Sequence, residues 1–425
     1  MVTISGESGD RGEKIIRTAY TGKIFYGWWI VLVCFIISLY VGGVVQFGFT
    51  AFFEPLIEEF GWSYTQVSFA ASLRGMEMGI FAPLIGLCVD RVGPRKLLFA
   101  GVISTGMGLL ILSSTHSLWT FYGAFLLLGL GAGGCLNVVT MSIAANWFRK
   151  NLGRAMGFMS AGFGTGGLFI PVIVFLIDSY GWRMALVILG TGMLTMGLPL
   201  LLIVRNTPEE YGLYPDGNVA SSNGSDPVHE KHENGLTFKQ IIRNRSFLIL
   251  NVIDLTRLAA ATAVVVHVMP YLSNLGVSRI TAGFVAAAIP VASIAGRVGL
   301  GWLGDLWDKR YVMILALSCM ILGLCAFAFP VNKWFIFLFL LLFPPGFGSI
   351  SVLRASYLRE SFGKANFGKV LGITLGSGSV GGIIGPTSAG WVFDVAGSYH
   401  FVWLGYMGIL VVGIVLICNM QRYSH

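Results

Sequence analysis

Charged residues are scarce in this sequence. They make up 11% of its 425 residues, whereas 55% are apolar and the mean hydropathy is +0.77. An average soluble domain has about 25% charged residues. A chain this apolar cannot bury its apolar surface against itself in water. The composition therefore excludes a soluble globular protein and indicates one whose solvent is the lipid bilayer.

Sequence signatures of catalysis are missing as well. The six cysteines have no CxxC spacing, so they indicate neither a disulfide framework nor a zinc site. The sequence has no Walker loop, metal-ligand cluster or covalent-nucleophile motif. We therefore expect neither an enzyme nor an ATP-driven pump, and no cofactor or metal.

Long apolar runs are abundant: twelve of them are long enough to cross a bilayer core of about 30 Å. Backbone groups in lipid must be satisfied within each segment, and the short alternating segments of a β-barrel are missing, so the runs predict helices. We number them as spans 1 to 12, at residues 27–48, 65–88, 97–115, 119–144, 155–177, 184–204, 247–271, 281–304, 311–330, 334–357, 369–393 and 401–420.

Basic residues set the predicted orientation. With both termini in the cytoplasm, 21 of the 28 Lys and Arg lie in cytoplasmic tails and loops, four lie within spans, and three lie outside, namely Arg183, Arg279 and Lys333. The net charge of +8 is then juxtamembrane charge and needs no nucleic-acid partner. We expect a multi-pass protein of the cell (plasma) membrane.

A polar stretch divides the chain into two copies. Residues 205–245 are predicted to be a cytoplasmic linker between bundles at 27–204 and 246–420, with cytoplasmic tails at 1–26 and 421–425. The second copy repeats the first at an offset of 215 residues, so that Pro55 recurs as Pro270 and Gly61 as Gly276. The predicted fold is all-α, with twelve transmembrane helices in two pseudo-symmetric six-helix bundles and substrate bound near the midplane between them.

The loop between spans 2 and 3 carries a motif, in which Gly86 permits close helix approach and Asp90 can hold a neighbouring helix N-terminus. It resembles the GxxxD(R/K)xG(R/x)(R/K) motif of the major facilitator superfamily of transporters, and that resemblance covers nearly the whole chain. The resemblance implies a cytoplasmic gate. The predicted gating residues in the two copies of the motif are Gly86, Asp90, Arg91, Gly93, Arg95, Lys96, Gly301, Asp305 and Arg310.

Spans 5 and 11 are rich in glycine, including Gly166 and Gly381. Small residues let helix backbones meet in a membrane, and this pattern is compatible both with a sliding hinge and with static packing. A narrower resemblance lies in Tyr26-Gly27-Trp28-Trp29 and in Trp147-Phe148-Arg149-Lys150. These segments look like the branch that contains monocarboxylate transporters and oxalate/formate antiporters.

Arg297 is the strongest candidate for a substrate contact. It lies eight residues before Asp305, hence about 12 Å from the predicted cytoplasmic edge. In the branch that this chain resembles, an arginine at this spacing pairs with the substrate carboxylate, which suits a planar guanidinium. The alternative is an arginine neutralised by a carboxylate on another helix. Ser293 stands where the branch usually has an acidic residue.

The other intramembrane charges form predicted pairs. Asp254 and Arg257 are three residues apart and share a helix face, either as a pair that a proton or substrate breaks or as a structural pair. Arg74 and Glu77 repeat this spacing as an outer-gate or structural pair. Arg354 is expected to extend to the cytoplasmic edge.

Four polar side chains within spans are further candidates for the binding site, although such residues also serve as hydrogen-bond partners between helices. They are Tyr40, Gln46, Asn137 and Ser377. His267 titrates near neutral pH in water, but a lone histidine is usually structural.

The favoured hypothesis is a monomeric secondary transporter of a small organic anion, in particular a monocarboxylate. Its coupling to protons, by symport or antiport, is a further conjecture that involves Asp254. The alternatives are a carrier of a neutral or cationic compound, with Arg297 internally paired, and a sensor that kept the fold without transport.

Overall fold

The computed structural model describes residues 25–76, 85, 88–89, 91–148, 151–208, 215, 238–329, 332–362 and 367–420. Within these residues the regular structure is helical. The first half contains α1 (Tyr26–Val41), a π-helical turn (Gly42–Phe47), α2 (Phe49–Phe60), α3 (Tyr64–Met76), α4 (Pro94–Ser113), α5 (Leu118–Cys135), α6 (Asn137–Trp147), α7 (Leu152–Thr165), a 3₁₀ turn (Gly166–Phe169) and α8 (Ile170–Leu201). The second half contains α9 (Phe238–Arg243), α10 (Arg245–Asn274), α11 (Arg279–Leu306), α12 (Lys309–Ala328), α13 (Lys333–Phe362), α14 (Phe367–Ala396) and α15 (His400–Cys418).

Ten helical stretches of the described chain are long and apolar enough to cross a bilayer. One of them, Arg154–Leu201, has 48 residues and at 1.5 Å per residue would measure about 72 Å, more than twice the bilayer core. Gly181 interrupts it with a φ of 77°, so α8 turns there and joins predicted spans 5 and 6. Predicted span 2 coincides with α3 up to Met76, and its remainder falls outside the described residues apart from 85 and 88.

Backbone geometry follows the sequence repeat. Gly61 ends α2 with a φ of 64°, and its counterpart Gly276 precedes α11 with a φ of 74°. Both positions lie in the left-handed region, where a side chain is strained, which explains why both copies have glycine. Ser278 then accepts a hydrogen bond from the backbone of Thr281 and so caps α11.

Glycines of predicted spans 5 and 11 pack within their own halves. A Cβ on Gly166 would lie 2.5 Å from the backbone nitrogen of Gly43, and a Cβ on Gly381 would lie 2.0 Å from the carbonyl of Leu255. The two contacts are related by the repeat, because each joins the fifth span of a half to its first. In this conformation the glycines serve close packing.

The two halves meet mainly at one end of the bundle, which we call the sealed end and which carries loops 61–63 and 275–278. Here α3 packs along α14, α2 packs against α10, and α11 packs against the 3₁₀ turn and α8. At the opposite end, which we call the linker end because α8 ends there and α10 begins there, α6 and α13 pack chiefly within their own halves. The described helices therefore enclose a cleft that narrows toward the sealed end.

Candidate functional site

Arg297 lies on the face of α11 that meets the other half of the molecule. One and two turns earlier on this face, Ile294 and Pro290 lie close enough to Gly164 and Gly167 that a Cβ on those glycines would be 3.3 Å and 2.2 Å away. Residues 290, 294 and 297 share a helix face because they are spaced by four and then three. Arg297 therefore lies on the linker-end side of the contact between the halves, at the closed end of the cleft.

The Arg297 side chain has no hydrogen bond or ion pair with any residue that the structure describes. It is half-buried, and its Nε atom is buried without a partner. It lines a cavity of about 300 Å³ between α11 and α13, together with Gly301, Trp302, Lys309 and Ser356. An unpaired guanidinium beside a cavity is a site for an anion, since an uncompensated buried charge is costly.

Asp254 forms the other charged centre of the second half. Its side chain is 2% exposed, and its Oδ1 accepts hydrogen bonds from Arg257 Nη2 at 2.7 Å and Nε at 3.2 Å. The two residues lie on one face of α10 and form an ion pair, and a role of this pair in coupling stays a prediction. Arg257 also donates from Nη1 to the Phe347 carbonyl at 3.1 Å, and its guanidinium lies 5.2 Å from the Phe347 ring centroid.

The expectation for Arg354 was wrong. Its guanidinium does not extend to the membrane edge but is buried, and its Nη1 donates to Asp254 Oδ2 in an ion pair. The physical reason is that α13 packs on α11 and α10, which places the Arg354 side chain beside the buried Asp254 carboxylate. A buried carboxylate needs partners for both of its oxygens. One carboxylate therefore holds two arginines.

Ser293 shows why no carboxylate accompanies Arg297 on α11. Its side chain is 1% exposed and donates from Oγ to the Pro290 carbonyl at 2.7 Å. A Cβ on Gly348 of α13 would lie 2.2 Å from the Ser293 carbonyl, so the two helices touch at this level. A longer acidic side chain has no room in this contact.

The polar candidates are not brought together around Arg297. Tyr40 donates from its hydroxyl to the Leu189 carbonyl at 2.6 Å, within the first half. Ser377 donates to Asn251 Oδ1 at 2.8 Å and to the Thr374 carbonyl at 2.9 Å. Gln46 lies half-buried in the π-helical turn, without a side-chain hydrogen bond to another described residue.

Three further candidates fall outside what the structure describes. Asn137 begins α6, but its side chain is not described, and the same holds for Arg74 on α3. Glu77 lies outside the described residues. The predicted Arg74–Glu77 pair stays a prediction.

The two motif copies make equivalent contacts at the linker end. In the first copy, the Arg95 amide donates to Asn206 Oδ1 at 3.1 Å, just after α8. In the second copy, Arg310 Nη1 donates to the Met420 carbonyl at 3.0 Å, just after α15. Each copy thus ties the loop before the third span of its half to the end of the sixth span.

Other motif residues are described only in part. Gly93 has a φ of 87° before Pro94 begins α4. Arg91 and Lys96 are exposed, and Gly301 lines the cavity beside Arg297. Gly86, Asp90 and the side chain of Asp305 lie outside the described residues.

An acidic residue holds the halves together at the sealed end. Asp394, at the end of α14, accepts hydrogen bonds from the amides of Tyr64 and Thr65 at 3.0 and 2.8 Å, and from the Thr65 hydroxyl at 2.5 Å. It caps the first turn of α3, which belongs to the other half. The sequence marks Asp394 only as a carboxylate near a helix end, so its partner could not be found without the packing of α3 on α14.

A related contact joins α8 to α11. Arg279, the counterpart of Tyr64 in the repeat, lies with its Nε 3.5 Å from Asp178 Oδ1 and donates from Nη2 to the Ala51 carbonyl at 2.7 Å. Each half therefore supplies an acidic residue, just after its fifth predicted span, that contacts the start of the second span of the other half.

His267 is a buried structural residue of the sealed end. Its Nε2 lies 3.0 Å from both the Pro386 carbonyl and Ser68 Oγ, and its Nδ1 lies 2.8 Å from the Tyr399 hydroxyl. A carbonyl can only accept, so Nε2 carries the proton and Nδ1 accepts from Tyr399. The ring bridges both halves, because Ser68 belongs to α3.

The Major Facilitator Superfamily model matches this sequence over residues 29–268 and 255–421, which is nearly the whole chain. The chain belongs to the Major Facilitator Superfamily. It is a multi-pass membrane transporter of this superfamily and not an enzyme. The predicted all-α fold of two six-helix bundles is confirmed.

Curated relatives of this superfamily member are monocarboxylate transporters. Monocarboxylate transporter 13 of Bos taurus is 29% identical over 380 residues, covering 88% of this chain and 84% of the relative. Monocarboxylate transporter 12 of Mus musculus is 25% identical over 401 residues, covering 89% of this chain and 82% of the relative. The predicted resemblance to the monocarboxylate transporter branch is confirmed.

Solved superfamily structures share the fold. A bacterial homolog of the human lysosomal transporter Spinster, in an inward-facing and occupied conformation, has a TM-score of 0.74 and 15% identity, covering 95% of this chain and all of the other. The nucleoside transporter NupG has a TM-score of 0.73 and 12% identity, with 94% of this chain and all of the other covered.

Proposed function

We propose that this chain is a secondary active transporter that moves a small organic anion, in particular a monocarboxylate, across the cell membrane. The two halves alternately expose a site at Arg297 by a rocking motion. The observation that carries the proposal is the unpaired Arg297 guanidinium at the closed end of the cleft between the halves. The names of the relatives support the same substrate class.

A carboxylate fits this site by charge and by shape. The guanidinium presents a planar fork that matches a carboxylate bidentately. The described intramembrane side chains of the second half also carry three arginines, at 257, 297 and 354, against the single carboxylate of Asp254. A site with excess positive charge favours anions and repels the cations of the alternative hypothesis.

The orientation that the positive-inside rule predicts places the linker end in the cytoplasm. In that orientation the conformation is open to the cytoplasm and closed to the outside. Proton coupling involves Asp254 in our proposal, because protonation of its carboxylate would release the two arginines that it holds. The carrier acts as a monomer.

The experiment is uptake into proteoliposomes of formate, lactate, pyruvate and oxalate, each compared with a neutral analogue such as lactamide. Arg297→Gln should reduce uptake of the transported carboxylate by at least about 30-fold, since truncating one partner of a buried charge pair costs about 2–5 kcal/mol. Arg243→Gln, at an exposed arginine of α9, is the matched control and should transport normally.

Three outcomes would contradict the proposal in whole or in part. Undiminished carboxylate uptake by Arg297→Gln would remove the site assignment. Uptake of neutral or cationic compounds in place of carboxylates would favour the other carrier class. Saturable carboxylate binding without flux in counterflow would indicate a sensor and would overturn transport itself.

A further inference from the structure

Four charged side chains lie on three packed helices in the second half of the bundle. Asp254 and Arg257 come from α10, Arg297 comes from α11, and Arg354 comes from α13. Arg257 donates to the Phe347 carbonyl on α13, and the next residue, Gly348, packs against Ser293, one turn before Arg297 on α11. The group therefore behaves as one electrostatic unit with a single negative member.

The Asp254 carboxylate is fully used by two of the three arginines. Oδ1 accepts both contacts from Arg257, and Oδ2 accepts the contact from Arg354. The carboxylate also abuts α14, because a Cβ on Gly378 would lie 2.5 Å from Oδ2. Its position is fixed from three sides, and both oxygens are paired with arginines other than Arg297.

We infer that Arg354 is a positioning residue for the anion site: by occupying one oxygen of Asp254, it prevents that carboxylate from neutralising the site and keeps Arg297 free for the anion. The inference rests on the proposed function of Arg297. Arg354 is buried, and in this role it acts through Asp254 without touching the substrate.

The net charge of these four side chains determines how the loss of Arg354 affects the site. The four side chains carry a net charge of +2, and replacing Arg354 by a neutral residue lowers it to +1 and leaves Oδ2 without its partner. The released oxygen then attracts Arg297, whose side chain has no partner among the described residues. Removal of this unit charge from the group should weaken the binding of a monoanion by roughly tenfold at the effective dielectric of a protein interior.

A charge-matched pair of variants tests this role. Arg354→Gln should raise KM for the transported carboxylate about tenfold and change kcat less. Asp254→Asn combined with Arg354→Gln removes one charge of each sign, restores the net charge of +2, and should return the equilibrium affinity for the carboxylate to within about twofold of wild type, although loss of Asp254 also removes the proposed proton coupling. A merely structural ion pair predicts that the double variant is at least as impaired as the single one. Arg354→Lys keeps the charge and should resemble wild type.

Arginine labelling by phenylglyoxal, read out on peptides by mass spectrometry, measures the position of Arg297 without any substrate. Arg297 should react in the wild type, lose most of its reactivity in Arg354→Gln, and regain it in the double variant. Thermal melting establishes that the variants are folded, and if Arg354→Gln fails to fold, the double variant and Arg354→Lys carry the comparison against wild type.

The labelling separates two kinds of failure. Unchanged Arg297 reactivity in folded Arg354→Gln, or loss of reactivity in the double variant, would overturn the positioning role. A labelling pattern as expected, combined with normal carboxylate uptake by Arg297→Gln, would instead overturn the proposed function and leave the electrostatic role of Arg354 standing.

Discussion

The sealed end and the linker end of the bundle hold their polar contacts in different ways. At the sealed end, Asp394 and His267 bond across the two halves, to the start of α3 and to Ser68. At the linker end, Arg95 and Arg310 bond within their own halves. Polar contacts at the linker end therefore stabilise each half separately, whereas those at the sealed end join the two halves. Opening the sealed end must break the contacts between the halves, while the contacts within each half persist.

Glycine contacts follow the same division. Gly167 and Gly390 bring the two halves together, since a Cβ on Gly390 would lie 2.7 Å from Ser68 Oγ and 2.8 Å from the Tyr64 carbonyl. Gly166 and Gly381 pack within a half. Substitution of Gly167 or Gly390 should therefore change the balance between conformations, whereas substitution of Gly166 or Gly381 should impair folding.

The largest effect in this comparison is expected for Gly167→Ala. Its Cβ would lie 2.2 Å from Pro290 Cγ, and overpacking of this kind costs about 1–3 kcal/mol, which shifts the balance away from the sealed conformation by roughly 5- to 150-fold. Gly157→Ala on α7 is the matched control, because its Cβ meets no atom within 4 Å. Uptake rates and melting temperatures should show Gly167→Ala slow but folded. Equal uptake by the two variants would contradict the role of this contact.

Asp394→Asn is expected to have the next largest effect. It weakens the cap on α3, and loss of a helix cap costs about 0.5–2 kcal/mol. Asp178→Asn is the comparison, since its pair with Arg279 is partly exposed and worth about 0–1 kcal/mol. Spin labels can be attached at exposed Trp119 and Val395, one in each half, in a cysteine-free background. Electron spin resonance should then find a larger fraction of molecules with a long distance between the two labels in Asp394→Asn than in wild type. A larger opening in Asp178→Asn would reverse our ranking of the two acidic contacts.

The smallest effect is expected for Tyr40→Phe. Its hydroxyl bonds to the Leu189 carbonyl within the first half, so its loss should lower the free energy of unfolding by about 0.5–1.5 kcal/mol and leave KM unchanged. Thermal melting and uptake kinetics measure the two quantities. A KM raised severalfold with unchanged stability would instead place Tyr40 in the substrate site.

Sequence alone predicted the features that depend on composition and local spacing. Apolar runs gave the helices because lipid forces each segment to satisfy its own backbone. The Asp254–Arg257 contact followed from a spacing of three residues on one helix. The position of Arg297 could be estimated by counting residues along α11.

Contacts between distant helices were beyond sequence reasoning. Arg354 was placed at the membrane edge because its distance from the span end is visible, whereas its partner Asp254 lies 100 residues away on α10. Asp394 was missed because its partners are backbone amides, which every residue has. Tyr40 and Ser377 were candidates by residue type, and the direction of each hydroxyl depends on helix packing.

The central claim is that an unpaired guanidinium in the cleft selects a carboxylate. The most direct measurement is equilibrium binding, by ligand-induced thermal stabilisation, of formate, lactate, pyruvate and oxalate and of their matched amides to wild type and to Arg297→Gln. We predict that the wild type binds at least one carboxylate and none of the amides, and that Arg297→Gln loses this binding. Equal binding of an acid and its amide, or carboxylate binding that survives in Arg297→Gln, would contradict the claim.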